Sequence, residues 1–150
     1  MQVEAFLADT VQAAGGKLSA LGIGWTTVST GGLPARHDRI GVGVVVRLED
    51  GETGSHRLEL RLLEPDGSER QLGRAADGAA ISALNAPFEV QGTGERTATF
   101  ALNLDGLVFE HEGSYTLVVG LDGLEAKRLS FRVQARPSQP AAEFRGGMYL

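Results

Sequence analysis

A chain of 150 residues that is 42% hydrophobic and 22% charged has the make-up of an ordinary globular domain, long enough to bury a core without disulfide or metal staples. It contains no cysteine, which excludes disulfides, thiol catalysis, zinc–thiolate sites and iron–sulfur clusters and fits a reducing, cytoplasmic compartment. The net charge of −5, with arginines scattered among acids, offers no concentrated basic face for nucleic acid. No apolar run approaches the roughly 20 residues that span a bilayer. The opening MQVEAFLAD lacks a basic start and carries Glu4 within its apolar run, so neither a membrane segment nor a secretory signal is expected.

Residues 2–9 and 17–25 read as two strands joined by a turn around Gly15-Gly16, with Trp25 closing the second. From there the dominant period is two. Ile40, Val42, Val44, Val46 and Leu48 form one inward row, with Gly41 and Gly43 between them leaving room for close approach. Leu58, Leu60 and Leu62, alternating with Arg57, Glu59 and Arg61, form a second. Ala75–Leu84 is the one helix-like stretch, short and interrupted by Asp77-Gly78, enough for a turn or two in a crossing loop. Three further rows follow: Ala98 to Leu104, Tyr115 to Leu121, and Leu129, Phe131, Val133.

The turn signals Asp50-Gly51, Pro65-Asp66-Gly67, Gly92-Thr93-Gly94 and Asp122-Gly123 separate the rows. Eight or nine short strands at this spacing predict an all-β, immunoglobulin-like antiparallel β-sandwich over residues 1–134, followed by an extended tail, 135–150. Tyr115 stands near the start of a late strand, as in a tyrosine corner, and its hydroxyl is expected to bond backbone upstream.

The opening QVEAFLADTVQAAGGKLSALGIGWTTV and the closing GSYTLVVGLDGLEAKRLSFRV resemble a family of small bacterial β-sandwich proteins of unknown function. Gly16-Lys17-Leu18, Gly22, Gly24-Trp25, Gly113, Tyr115, Asp122-Gly123 and Phe131-Arg132-Val133 carry the likeness across residues 2–134. The resemblance implies a fold and no activity.

Residues with catalytic chemistry are few. His37 and Asp38 are neighbours, and adjacent strand residues point to opposite faces, which separates a base from its orienter. His56 shares parity with Leu58, Leu60 and Leu62 and reads as a histidine at the core boundary. Glu110-His111-Glu112 has ligand types for a divalent cation, but consecutive residues converge poorly on one ion. Glu49-Asp50-Gly51-Glu52 lacks the spacing of a calcium loop. Gly15-Gly16-Lys17 is followed by leucine, so it is no phosphate loop, and no Gly-x-Ser-x-Gly elbow occurs. Trp25 shares parity with Leu21 and Ile23 and reads as core or core rim. No catalytic, cofactor-binding or metal-binding residue is assigned, and no cofactor is expected.

After Val133 the pattern stops. QARPSQPAAEFRGGMYL begins as a proline-containing linker and ends in apolar side chains. Phe144, Met148, Tyr149 and Leu150 are the candidate partner-docking residues. The expectation is a non-enzymatic protein–protein interaction or assembly module, a homo-oligomer or a subunit of a larger particle or filament, with the tail docking on a partner or a neighbouring copy. Its partners are then proteins or itself rather than nucleic acid, membrane or a small molecule. The alternative is a small-ligand or carbohydrate-binding module using the loops Trp25–Arg39 and Glu110–Gly113. A third, a hydrolase built on carboxylates with His56 or His111, requires a titratable pair within hydrogen-bond reach in a cleft.

Overall fold

The computed structural model describes residues 1–136, and within them the chain is all β, with no helix. The strands are β1 (Gln2–Ala8), β2 (Thr10–Ala14), β3 (Lys17–Leu21), β4 (Thr27–Thr30), β5 (Ala35–Leu48), β6 (Gly54–Leu63), β7 (Gly73–Arg74), β8 (Ala80–Ile81), β9 (Ala83–Val90), β10 (Arg96–Phe109), β11 (Gly113–Leu121) and β12 (Leu124–Ala135). The candidate docking residues Phe144, Met148, Tyr149 and Leu150 lie outside the described residues.

Two sheets dominate. One has the order β1-β5-β10, and the other β4-β12-β11-β6-β9, with β2–β3 and β7–β8 as two-stranded ribbons. Pairing is antiparallel throughout except between β4 and β12, which run parallel. The alternating rows account for this directly: Ile40, Val42, Val44 and Val46 from one sheet, and Leu58, Leu60, Leu62, Leu117 and Val119 from the other, are all fully buried in one core. The inward faces meet through aromatic rings as well, with Phe88 of β9 5.0 Å from Phe100 of β10.

Three expectations are corrected. Residues 2–9 and 17–25 do not form the first hairpin: β1 pairs with β5, and the Gly15-Gly16 turn joins β2 to β3, in register from Thr10↔Leu21 to Ala14↔Lys17. A one-residue break at Asp9 lets the chain leave one sheet and start a separate ribbon, which period-two counting cannot see. Trp25 therefore lies in the loop before β4, not in a strand. The segment Ala75–Leu84 is not helical; it turns through Asp77-Gly78 into β8, paired with β7, and the start of β9, paired with β6, and this pairing outweighs the weak helical preference of a short alanine-rich run.

Two glycine-dependent features match the sequence. Asp122 and Gly123 both have positive φ, 52° and 82°, and close β11 onto β12 in a two-residue hairpin, as such turns require. At Gly43, which pairs with Phe6, a Cβ would collide with the Phe6 ring, so only glycine lets that ring lie across β5.

Tyr115 is fully buried, and its hydroxyl donates to the His111 carbonyl 2.8 Å away. The ring stacks on Phe131 at 5.6 Å and meets Phe109 edge-on at 4.9 Å. Tyr115→Phe keeps the ring and strips the bond, so it should cost about 1–2 kcal/mol. In urea this reads as a lower midpoint with an unchanged slope; an unaltered midpoint would show that the hydroxyl contributes nothing.

Candidate docking surface

β4 pairs with β12 only over Arg132–Ala135, flanked by bonds from the Arg132 N–H to the Thr26 carbonyl and from the Arg136 N–H to the Thr30 carbonyl. Among the described residues, Leu124–Phe131 is therefore hydrogen-bonded to β11 on one side and to no strand on the other. The N–H groups of Arg132 and Arg136 point toward β4. By alternation, Arg128 and Ser130 turn their backbone groups to the same side. β1, hydrogen-bonded only to β5, runs close alongside that side of β12: Phe6 and Leu7 share a groove with Leu129 and Ser130, and Val3 shares a hollow with Leu124 and Ala126.

At one end of this β1–β12 seam lies a shallow groove of about 200 Å³, lined by Phe6, Leu7, Ile23, Trp25 and Leu129 among others. The chain reaches it because Gly24 N–H bonds the Leu7 carbonyl and pins the loop against β1. Trp25 is half-buried and packs edge-on against Phe131 at 5.6 Å, with its ring 6.2 Å from that of His37. Its position at the core rim agrees with the sequence. Beside it, Ile23 is 60% exposed and Leu21 70% exposed, although parity alone places them inward with Trp25. The Trp25 Nε1–H is buried and has no hydrogen-bond partner among the described residues.

A second polar constellation sits at the other end of β6. His56 Nδ1 lies 2.7 Å from Asp122 Oδ2, and the other carboxylate oxygen accepts the Arg57 N–H at 2.8 Å. Burial alone would raise the Asp122 carboxyl; the hydrogen bonds from His56 and from the Arg57 backbone outweigh it and hold it below the usual carboxylate range. Parity in the sequence marks the boundary histidine but not its partner, 66 residues away, since only the β6–β11 register brings them together. His56 packs against Phe88 at 5.5 Å, and its Nε2, the nitrogen a general base would use, is buried without a partner. The pair meets the distance condition for acid–base chemistry, and Asp122 borders a hollow it shares with Met1, Val3 and Leu124, while the free His56 nitrogen is turned into buried surroundings.

The other sequence candidates do not converge. His37 lies within β5 and Asp38 beside it faces solvent. His111 contributes its carbonyl to Tyr115, and the Glu112 carboxylate accepts the Ala135 N–H. No group of three or more His, Asp or Glu side chains among the described residues is placed to hold a metal ion. No helix there is long and apolar enough to cross a membrane.

The fold and the seam thus define an all-β protein with an apolar groove at an incompletely paired sheet edge. By sequence the chain belongs to a family of unknown function, DUF6941, whose model matches residues 4–134. No curated protein matches it. Among solved structures it is similar to the Pseudomonas fluorescens alkylpurine DNA glycosylase AlkC bound to DNA containing an abasic site analog, at 11% identity and a TM-score of 0.47, covering 88% of this chain and 31% of that one. It is also similar to a β-glucosidase from Listeria innocua, at 12% identity and a TM-score of 0.46, covering 88% of this chain and 16% of that one. The chain spans less than a third of the length of either, and the DNA and the glucosidase activity belong to those proteins.

Because Asp122 is held below its ordinary pKa, its contribution to stability is present above the unfolded value of about 4 and fades as pH falls through the folded one. Asp122→Asn, which tolerates the positive φ, should lower the urea midpoint at neutral pH. The difference from the parent should shrink in acid. A difference independent of pH would mean that the carboxylate charge is not what holds this turn.

Proposed function

We propose that this chain is a non-enzymatic protein–protein interaction and assembly module. Its docking surface is the groove beside Trp25, and the segment beyond Ala135 supplies the docking element for a partner or a neighbouring copy. The observation that carries the reading is the exposure of Ile23 in a groove lined also by Leu7, Trp25 and Leu129, with the exposed Leu21 two residues before it. Scattered exposed apolar residues need no explanation, but a cluster continuous with a groove marks an interaction surface.

The finer fold proposal is an immunoglobulin-like sandwich. The two-sheet order, the parallel β4–β12 edge and a buried tyrosine at the start of β11 bonded four residues upstream support it. A cytoplasmic location belongs to the same reading and rests on the cysteine-free sequence. Full burial of Tyr115 and half-burial of Trp25 favour protein docking over carbohydrate binding, which needs open aromatic faces.

Trp25 is the chain's one tryptophan, so its emission reports on this face alone. Docking should shift that emission across a dilution series of the full chain, together with the sedimentation coefficient. Ile23→Lys should abolish both shifts while changing stability by less than about 0.5 kcal/mol, as exposed substitutions usually do. Emission that is constant across dilution in parent and variant alike would remove the face as a docking surface.

A further inference from the structure

We infer that the line along which β1 and β12 run side by side seats an amphipathic helix of a partner protein, one that carries two apolar side chains about two turns apart with a carboxylate between them. This rests on the docking reading above and names the occupant of the groove. The Trp25 groove is one of two hollows on that line. The second, of about 400 Å³, lies toward the β11–β12 hairpin and is walled by Val3 of β1 and by Leu121, Leu124 and Ala126. Leu124 is 75% exposed at this hollow, as Ile23 is 60% exposed at the other. Each hollow thus joins an apolar wall to an apolar side chain left in water, and the same two strands bound both.

The form of the occupant follows from the backbone. The edges of β1 and β12 face one another at close range, so nothing adds between them as a strand. A segment lying across them must satisfy its own N–H and C=O groups, which a helix does. From one hollow to the other the wall steps from Val3 to Phe6 on β1 and from Ala126 to Leu129 on β12. That is three residue rises, or about 10 Å. Side chains at i and i+7 of a helix share a face and lie about 10.5 Å apart.

Charge defines what stands between the two anchors. Between the hollows β12 presents Lys127, which pairs with the inward-facing Val119 beside the bulge at Ala126 and yet is exposed. Among the described residues it has no carboxylate within ion-pair distance, because Glu4 of β1 reaches Arg47 and Glu125 holds Arg128. An Asp or Glu at i+3 or i+4 of the docked helix lies on the anchor face and meets this ammonium. Residues 1–136 contain no helix, so the described part of a second copy cannot supply one, and the occupant is a partner of a different kind.

The test titrates a synthetic alanine-based peptide into the full-length chain and follows Trp25 emission and heat of binding. The peptide has about 20 residues, enough to hold a helix alone, with leucines at i and i+7 and glutamates at i+3 and i+4. It should shift the emission saturably, and a peptide with its leucines on opposite helix faces should not. Glu→Lys at both glutamates of the peptide and Lys127→Glu in the protein should each raise the dissociation constant roughly 3–10-fold, and the two together should restore it. Leu124→Ser should raise it by a similar factor. Lys127 and Leu124 are both exposed, so folding is kept, and the urea midpoint checks it. Equal binding of both peptides, or of neither, would overturn the helix, whereas the docking face itself stands or falls on the Ile23→Lys dilution series. Binding lost in Ile23→Lys but unmoved by Leu124→Ser and Lys127→Glu would confine docking to the Trp25 groove and sink the two-hollow seat. Self-association that weakens in Leu124→Ser and Lys127→Glu without any peptide would replace the partner with a second copy.

Discussion

A fully buried tyrosine must find a partner for its hydroxyl, and in this chain that requirement sets how the two sheets are joined. Tyr115 meets it at the His111 carbonyl, in the loop just before β11. With the ring so anchored, Phe109 from the end of β10 and Phe131 from β12 pack on its edge and face. One side chain thereby ties the three-stranded sheet to the five-stranded one. Burial, followed by the nearby Glu64 carboxylate, raises the phenol pKa above its ordinary value, so the hydroxyl stays a donor well past neutral pH. Trp25 then leans on Phe131 from outside, which makes the groove an extension of the same aromatic cluster rather than a separate feature.

Two stacked sheets also have edges, and each edge here is treated differently. β9, at one end of its sheet, carries Pro87, which cannot donate to a further strand. The edge of β10 is met by the β2–β3 ribbon through Asn103: its side-chain amide accepts the Val11 N–H at 3.1 Å and donates to the Val11 carbonyl at 2.9 Å. The amide reproduces the pairing of a strand residue where the backbones do not pair. Arg39 reinforces the junction, gripping Asp105 with two bonds and Thr10 with a third. The facing edges of β12 upstream of Arg132 and of β1 both lack a hydrogen-bonded neighbour, and both border the Trp25 groove.

Much of this is legible in the sequence because the buried rows alternate so regularly. Val42 to Leu48, Leu58 to Leu62, and Tyr115 with Leu117 and Val119 face the core as period two requires, and the Asp122-Gly123 hairpin and Tyr115 bond follow from local chemistry. What is not legible depends on contacts distant in sequence. The exchange of partners at Asp9, the His56–Asp122 pair and the Asn103 clamp each join segments through a register that no local pattern encodes. β10 shows the limit within one strand: its buried side chain at Leu104 has even parity, but Leu107 and Phe109 have odd parity, across Gly106 at φ 68°. The groove is hidden for the opposite reason. Leu21 and Ile23 look like core residues, but Leu21 shares the solvent face of β3 with Lys17 and Ser19, and Ile23 lies in the loop through Gly22 and Gly24.

The edge of β12 upstream of Arg132 is not undefended. A register shift between Val119 and Gly120 leaves Ala126 as the extra residue, and Glu125, Lys127 and Arg128 bring charge to the same stretch. Bulges and edge charges of this kind discourage indiscriminate strand pairing. Arg128 is held by Glu125 on the same strand, and an exposed pair of this kind contributes little by itself.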